Sequence, residues 1–283
     1  MSLSHGEITH VSDTALVVAA CRALESESPE GFVHDPFAAR LAGERGLAML
    51  RALPQPEFMR FGIGMRSRFM DELLMEALAS APIATILSVG CGLDTRPWRL
   101  ELPPTLRWIE IDFADMLDYK DSLLSAETPR CHRERITADV NDAAQRRSIY
   151  AAAGSAQALM ITEGLLTYLP AATVEALAGE AWQESGIAHW ISDIMTTAFD
   201  KAVNLDTARS VRNLRAPDSL AGEQILDAVR RHGWITAGRR SYIADVGFAT
   251  ERIRRLLGDR ARSAGPPPVP LGDLTGVHRL ARS

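Results

Sequence analysis

Apolar residues recur at three-to-four spacing over residues 14–24 and again over 37–53, the period of a helix that buries one face. Pro29, Pro36, Pro54 and Pro56 interrupt the pattern, because a proline has no amide hydrogen to give a helix interior. Asp13 and Asp35 stand where N-caps are expected, and Pro36 suits a first helical position. A third helix is predicted over roughly 66–78, stopping before Pro82. From residue 83 the period changes. ATILSVG, RWIEID, RITADV, ALMITEG and HWISDIM are short runs rich in β-branched and apolar residues, which read as buried strands. Helical stretches around 97–100, 113–126, 142–152 and 171–184 lie between them, with Asp142 as the cap of the third. Strands that alternate with helices predict a doubly wound α/β fold, its mostly parallel sheet covered on both faces. A later helix over 219–232 precedes a β-rich tail, and the closing GVHRLARS reads as a terminal strand. The proline-rich SAGPPPVPLGD before it reads as a surface connection.

At 283 residues the chain can bury a sizeable core. The pattern divides it into a helical N-terminal cap (1–80) and an α/β domain (81–283) with a lid insertion near 196–220. With 46% hydrophobic and 24% charged residues, wholesale disorder is excluded. A net charge of -5 lacks the basic field of a dedicated nucleic-acid binder, so small molecules are the expected partners. Lys120 and Lys201 are the only lysines, so arginine carries nearly all the positive charge and a single arginine is weak evidence of a site. Cys21, Cys91 and Cys131 are widely spaced, without CxxC or paired histidines, which predicts neither a disulfide framework nor a metal site and fits the reducing cytoplasm. No basic segment precedes an apolar run at the start. The longest apolar stretches, near 15–20 and 83–89, fall short of the about 18 to 20 residues of a membrane span, so neither export nor membrane insertion is expected.

The first strand runs directly into VGCGLDTRP, where Gly90 and Gly92 let the backbone turn tightly and come close to a ligand. Asp112 closes the second strand twenty residues beyond Gly92, the separation at which a carboxylate can grip a ribose diol. Together they indicate an adenosine-type ligand. The third position of a GxGxxG fingerprint, glycine in pyrophosphate-binding loops, is Thr95 here, and Asp94 precedes it. A carboxylate there would repel a pyrophosphate but suits S-adenosylmethionine, which has no phosphate and carries a sulfonium and an ammonium. Asp94 is equally readable as a helix N-cap, Arg96 as a packing or salt-bridge residue, and Cys91 as a small buried filler. Asp139 and Glu163 end the next strands, so with Asp112 they should converge on one crevice at the carboxyl edge of the sheet. A capping or turn role is the alternative for each.

The succession ILSVGCGLDTRPWRL, RWIEIDFADMLDYKDSLL, ITADVND and LMITEGLLTYLP resembles the leucine carboxyl methyltransferase family, in particular its bacterial S-adenosylmethionine-dependent members related to polyketide O-methyltransferases. SDTAL, CRALESESPEGFVHDPFAARLAG and MRSRFMDELL look like that family's helical N-terminal region, and the likeness runs from residue 12 to about 200. It implies a class I methyltransferase-like fold with a seven-stranded sheet, and S-adenosylmethionine as cofactor. It further implies that Gly90 lies against the cofactor, that Asp112 binds the ribose hydroxyls, and that Asp139 with Val140 contacts the adenine. Glu163 then lies near the methionyl part, and Arg66 binds its carboxylate, the match a planar cation makes best. Arg68 on the same helix points elsewhere. The family's protein-phosphatase methyltransferases carry an early lysine at the cofactor; this chain has none before Lys120, and Arg22 is the candidate substitute. A small acceptor is therefore expected in place of a protein C-terminus.

Tyr168, five residues beyond Glu163, should sit over the transferred methyl group, either orienting an acceptor oxygen or closing the site to water. His34, His132 and His189 have no serine or aspartate partner at a recognisable spacing, which argues against a hydrolytic triad. A carboxylate acceptor needs no general base, whereas a phenol or alcohol does. The expected activity is therefore S-adenosylmethionine-dependent O-methylation of a small carboxylate. Two alternatives stay open: a nicotinamide-dependent oxidoreductase on the related dinucleotide fold, disfavoured by Thr95 and the acidic loop, and a catalytically silent S-adenosylmethionine-binding protein.

Overall fold

Seven strands, β1 (Ile83–Val89), β2 (Arg107–Asp112), β3 (His132–Thr137), β4 (Gln157–Thr162), β5 (Ile187–Ile194), β6 (Trp234–Ser241) and β7 (Gly276–Arg282), form one sheet in the order β3-β2-β1-β4-β5-β7-β6. The first five pair in parallel, and β7 runs antiparallel between β5 and β6. The expected α/β fold with a seven-stranded, mostly parallel sheet is what the chain adopts. The structure, a computed structural model, describes residues 11–184, 186–203, 214–258 and 272–283. Its helices are α1 (Val11–Glu27), α2 (Ala38–Ala52), α3 (Pro56–Ser80), α4 (Arg96–Arg99), α5 (Ala114–Leu124), α6 (Ala143–Ala153), α7 (Ala171–Gln183), α8 (Thr197–Val203), α9 (Gly222–Arg231) and α10 (Thr250–Leu257).

Period-two alternation sends successive strand residues to opposite faces. Leu87, Ile109, Ile111, Met160 and Trp190 pack with Ile149 of α6, Leu177 of α7 and Leu226 of α9. Ile86, Trp108, Leu159, Ile161 and Ile191 pack on the other face against Phe69, Leu73 and Leu74 of α3. The first two helices form a third layer. Leu16, Val17 and Cys21 of α1 meet Leu41 and Leu50 of α2, and the cluster includes Leu93, Trp98 and Met116. Helices α1 and α2 therefore seat directly on the glycine turn after β1 and on α4 and α5.

Several boundaries differ from expectation. Asp13 lies inside α1 and pairs with Arg45, so it is no N-cap. Asp35 Oδ1 accepts the Phe37 N–H at 3.1 Å and its main-chain oxygen accepts that of Ala38; it closes a turn through Pro36, and α2 starts after that turn. Pro56 opens α3 ten residues before the predicted start, since proline is tolerated in a first helical turn. The third strand begins at His132 and ends before Asp139. Asp142 caps α6 as expected, its carboxylate accepting from the amides of Ala144 and Gln145 at 2.7 and 3.1 Å. The terminal strand is β7. Of the proline-rich connection, 263–271 lie outside the described residues, as do 204–213 of the expected lid.

Candidate active site

After Val89 the chain turns through Gly90 at φ +65° and Gly92 at φ +46°, a left-handed conformation that glycine adopts without penalty. The amides of Gly90 and Cys91 both donate to the Ile111 carbonyl, at 2.8 and 3.1 Å. A Cβ on Gly90 would stand 2.9 Å from Leu165 Cδ1, so the β1 turn and the loop after β4 touch. Asp112, at the end of β2, ties the same turn down: Oδ2 accepts the Gly92 amide at 2.7 Å and Oδ1 that of Phe113 at 2.8 Å. Burial raises the Asp112 carboxyl above the usual range, against those two bonds. Beneath the turn, buried Cys91 has Lys120 Nζ 3.6 Å from its sulfur, and the fully buried Lys120 bonds Glu110 Oε1 at 2.8 Å.

Glu163 follows β4 and collects two guanidinium groups from distant parts of the chain. Arg66 Nε on α3 donates to Oε1 at 2.9 Å, and Arg96 Nη1 on α4 lies 2.8 Å from Oε2. Burial pushes the Glu163 carboxyl up, but Arg96, Arg66 and Arg22 outweigh it and hold the group at about 2. Arg66 Nη1 also reaches Asp193 Oδ2 at 3.3 Å, while Asp193 Oδ1 accepts the Gly164 amide at 2.6 Å. Arg96 further pairs with Asp71 and Asp94, and Arg99 with Asp71. Three arginines thus face four carboxylates, leaving an excess of negative charge beside the glycine turn.

The structure brings Gly90, Gly92 and Asp112 together and joins Arg66 to Glu163. Asp139 stands in the turn after β3, where its Oδ1 accepts the amide and the side-chain nitrogen of Asn141 at 2.9 and 3.0 Å. Val140 is buried and its carbonyl accepts from Arg146 at 2.8 Å. Tyr168 closes a short 3-10 turn, Leu166–Tyr168. Burial raises its phenol; Arg66, Arg215 and a hydrogen bond with Thr14 pull the other way. Arg22 reaches the turn through Leu93, donating to its carbonyl at 2.6 Å, and bonds Asp35 at 2.8 Å. Arg68 turns away to Glu72 and the face of Phe248, as its register predicts. Arg96 is the salt-bridge residue expected, and Asp94 Oδ1 accepts its amide at 3.0 Å.

Asp193, Asp71 and Tyr242 were not singled out from sequence. Asp193 lies at the carboxyl end of β5, so the rule applied to Asp112 and Glu163 would have found it. Tyr242, just after β6, feels Asp193, Arg66 and Glu163 in that order once burial has raised its phenol. Among the described residues no cluster of three metal-ligating side chains occurs, and no helix is long and apolar enough to cross a membrane. His232 Nε2 meets Glu175 Oε2 at 3.0 Å and His278 Nε2 meets the Leu274 carbonyl at 2.7 Å.

A sheet of this order, with the glycine turn and an acidic strand end at its carboxyl edge, defines a class I methyltransferase fold. Two solved structures share it: a duf574 family protein from Streptomyces avermitilis, with TM-score 0.54 and 15% identity over 95% of this chain and 97% of that one, and a protein from Thermobifida fusca titled a methyltransferase provisionally, with TM-score 0.53 and 17% identity over 95% and 94%. The leucine carboxyl methyltransferase family profile matches residues 15–181, more than half of the chain. The chain belongs to that family. A Streptomyces coelicolor protein, provisionally named an S-adenosyl-L-methionine-dependent methyltransferase, is 37% identical over 183 residues, 61% of this chain and 64% of its own length. A Saccharopolyspora erythraea protein of the same provisional name is 30% identical over 287 residues, 91% of this chain and 93% of its own. The match to the first of these spans less than two thirds of that relative.

Proposed function

We propose that the chain transfers a methyl group from S-adenosylmethionine to a carboxylate oxygen of a small-molecule acceptor. The observation that carries the reading is the pairing at one sheet edge of a glycine turn tied to Asp112 with an acidic Arg66–Glu163–Asp193 cluster. The residues fit the cofactor: Gly90 leaves space that a Cβ would fill against Leu165, Asp112 supplies an anionic acceptor for ribose hydroxyls, and Asp139 with Val140 flanks the adenine side. Glu163 and Asp193 match its cations, and Arg66 its carboxylate. When bound, the cofactor supplies an activated methyl group on a sulfonium.

The chain's own contribution is alignment and exclusion of water, which together can supply roughly 7 to 11 kcal/mol. Tyr168 is half-buried with a raised phenol, so at neutral pH it is a hydrogen-bond donor that orients the acceptor oxygen. Arg215 favours an anionic acceptor. Its neighbour Ala216 donates to the Tyr168 carbonyl at 3.1 Å, and its own buried Nε has no hydrogen-bond partner. A carboxylate is ionised at pH 7 and needs no base, consistent with a tyrosine and an arginine, not a histidine, at this position. The segment near 196–220 acts as the lid and residues 1–80 as the cap. Incubation with methyl-labelled cofactor and a pool of small organic acids tests the reading. Base treatment should release the label as methanol; label that resists base would overturn the carboxylate assignment.

A further inference from the structure

Two hydrogen-bond donors beside Glu163 lack an acceptor among the described residues. Tyr242 has a buried hydroxyl with no partner, and Arg66 commits Nε to Glu163 and Nη1 to Asp193 while Nη2, with no hydrogen bond to a described residue, is left open to solvent. Buried polar groups are almost always paired, so an orphaned donor calls for an explanation.

The fold carries both donors to one place. Asp193 pairs with Val277 and Val277 with Arg240; in the next row Ile194, Gly276 and Ser241 align. Tyr242 therefore leaves the sheet at the same carboxyl edge as Asp193, with β7 between their strands. Its ring stacks on Phe69, with centroids 5.9 Å apart and planes 10° apart, and Phe69 is one helical turn beyond Arg66 on α3. The stack fixes the ring and leaves the hydroxyl as its only polar contact. Asp193, Arg66 and Glu163 all act on that hydroxyl. Two donors without an acceptor thus adjoin two carboxylates, Glu163 and Asp193. Donors for a carboxylate next to acceptors for an ammonium are the complement of an α-amino-acid headgroup, and a lone hydroxyl or carboxylate acceptor would use only half of it.

We infer that Tyr242 Oη and Arg66 Nη2 are paired donors to the methionyl carboxylate of the cofactor, with Glu163 and Asp193 receiving its ammonium. The inference rests on the methyltransferase reading above and adds Tyr242 to it. Calorimetric titration of wild type and Tyr242→Phe with S-adenosylhomocysteine and with its decarboxylated analogue, which keeps the ammonium, tests it. Tyr242→Phe keeps the Phe69 stack. The variant should bind S-adenosylhomocysteine about tenfold more weakly, as expected for one lost charge-assisted hydrogen bond, and the decarboxylated analogue within twofold of wild type. Unchanged affinity for S-adenosylhomocysteine, or equal loss for both ligands, would overturn the assignment. Should the variant not fold, Arg66→Ala decides: a remaining preference for S-adenosylhomocysteine over the decarboxylated analogue supports Tyr242 as the second donor, and equal affinity for the two ligands overturns the inference. Wild type that binds neither ligand would instead sink the methyltransferase reading itself, and the inference with it.

Discussion

Glu163→Gln removes one negative charge and almost no volume from the centre of the arginine cluster. In the folded protein the Glu163 carboxyl is held at about 2 against an ordinary 4.5, because Arg96 and Arg66 outweigh its burial. At 1.36 kcal/mol per pH unit, that gap corresponds to about 3 kcal/mol of stability at pH 7. Its side chain is only 16% exposed, so solvent screening takes little from the figure. In the variant Arg66 keeps Asp193, and Arg96 keeps Asp71 and Asp94, so the protein should still fold. Thermal melts should show a loss of roughly 6 to 12 °C at pH 7, from about 2 to 4 °C per kcal/mol. The folded pKa is depressed, so the carboxylate stabilises fully above pH 4.5 and progressively less as pH falls towards 2. The difference between wild type and variant should therefore shrink from about 3 kcal/mol at pH 7 to roughly half of that or less at pH 3. A variant that melts with wild type at pH 7, or a difference that stays constant down to pH 3, would refute the reasoning.

Asp112→Ala should weaken S-adenosylhomocysteine binding by about 1 to 3 kcal/mol in calorimetry, since it strips a charged acceptor from buried hydroxyls and frees the Gly92 amide; unchanged affinity in a folded variant would remove Asp112 from the ribose site. Arg66→Ala should cost the same ligand at least tenfold in affinity, with Arg66→Lys restoring only part because a point charge cannot reproduce the planar fork. Arg68→Ala is the control, its side chain being engaged with Glu72 and Phe248, and loss of binding there alone would contradict the helix register. Lys120→Met should lower stability in chemical denaturation by about 2 to 4 kcal/mol, because Glu110 loses a fully buried partner and retains Arg133 Nε at 2.8 Å; exposed Lys201→Met should change nothing measurable.

The buried strands were legible because both faces of β1, β2, β4 and β5 are covered, and runs such as ATILSVG then read as continuous apolar segments. Edge strands obey a different rule. β3 opens with HRERIT and has exposed residues at both ends, so the apolar ITADV drew the expectation three residues too far. β6, at the other edge, alternates weakly for the same reason and was read only as part of a β-rich tail. The expected start of α3 falls ten residues late because a proline reads as a breaker, whereas Pro56 serves as a first-turn residue. Of the site, the glycine turn and Asp112 share one βαβ unit and have a fixed spacing, which is what made them readable. Arg66 meets Glu163 across 97 residues and Asp193 across 127, separations that carry no local signal; the family likeness supplied Arg66, and only its place at the end of β5 marks Asp193 in the sequence. Tyr242 shows why: its meaning lies in a missing partner, which sequence cannot display.

The most direct test of the central claim is calorimetric titration of the purified chain with S-adenosylhomocysteine and, in parallel, with NAD. The glycine turn, Asp112 and the acidic Arg66–Glu163–Asp193 cluster predict saturable one-to-one binding of S-adenosylhomocysteine and no heat from NAD. Saturable binding of NAD with none of S-adenosylhomocysteine would contradict the account and return the chain to the dinucleotide-dependent oxidoreductases.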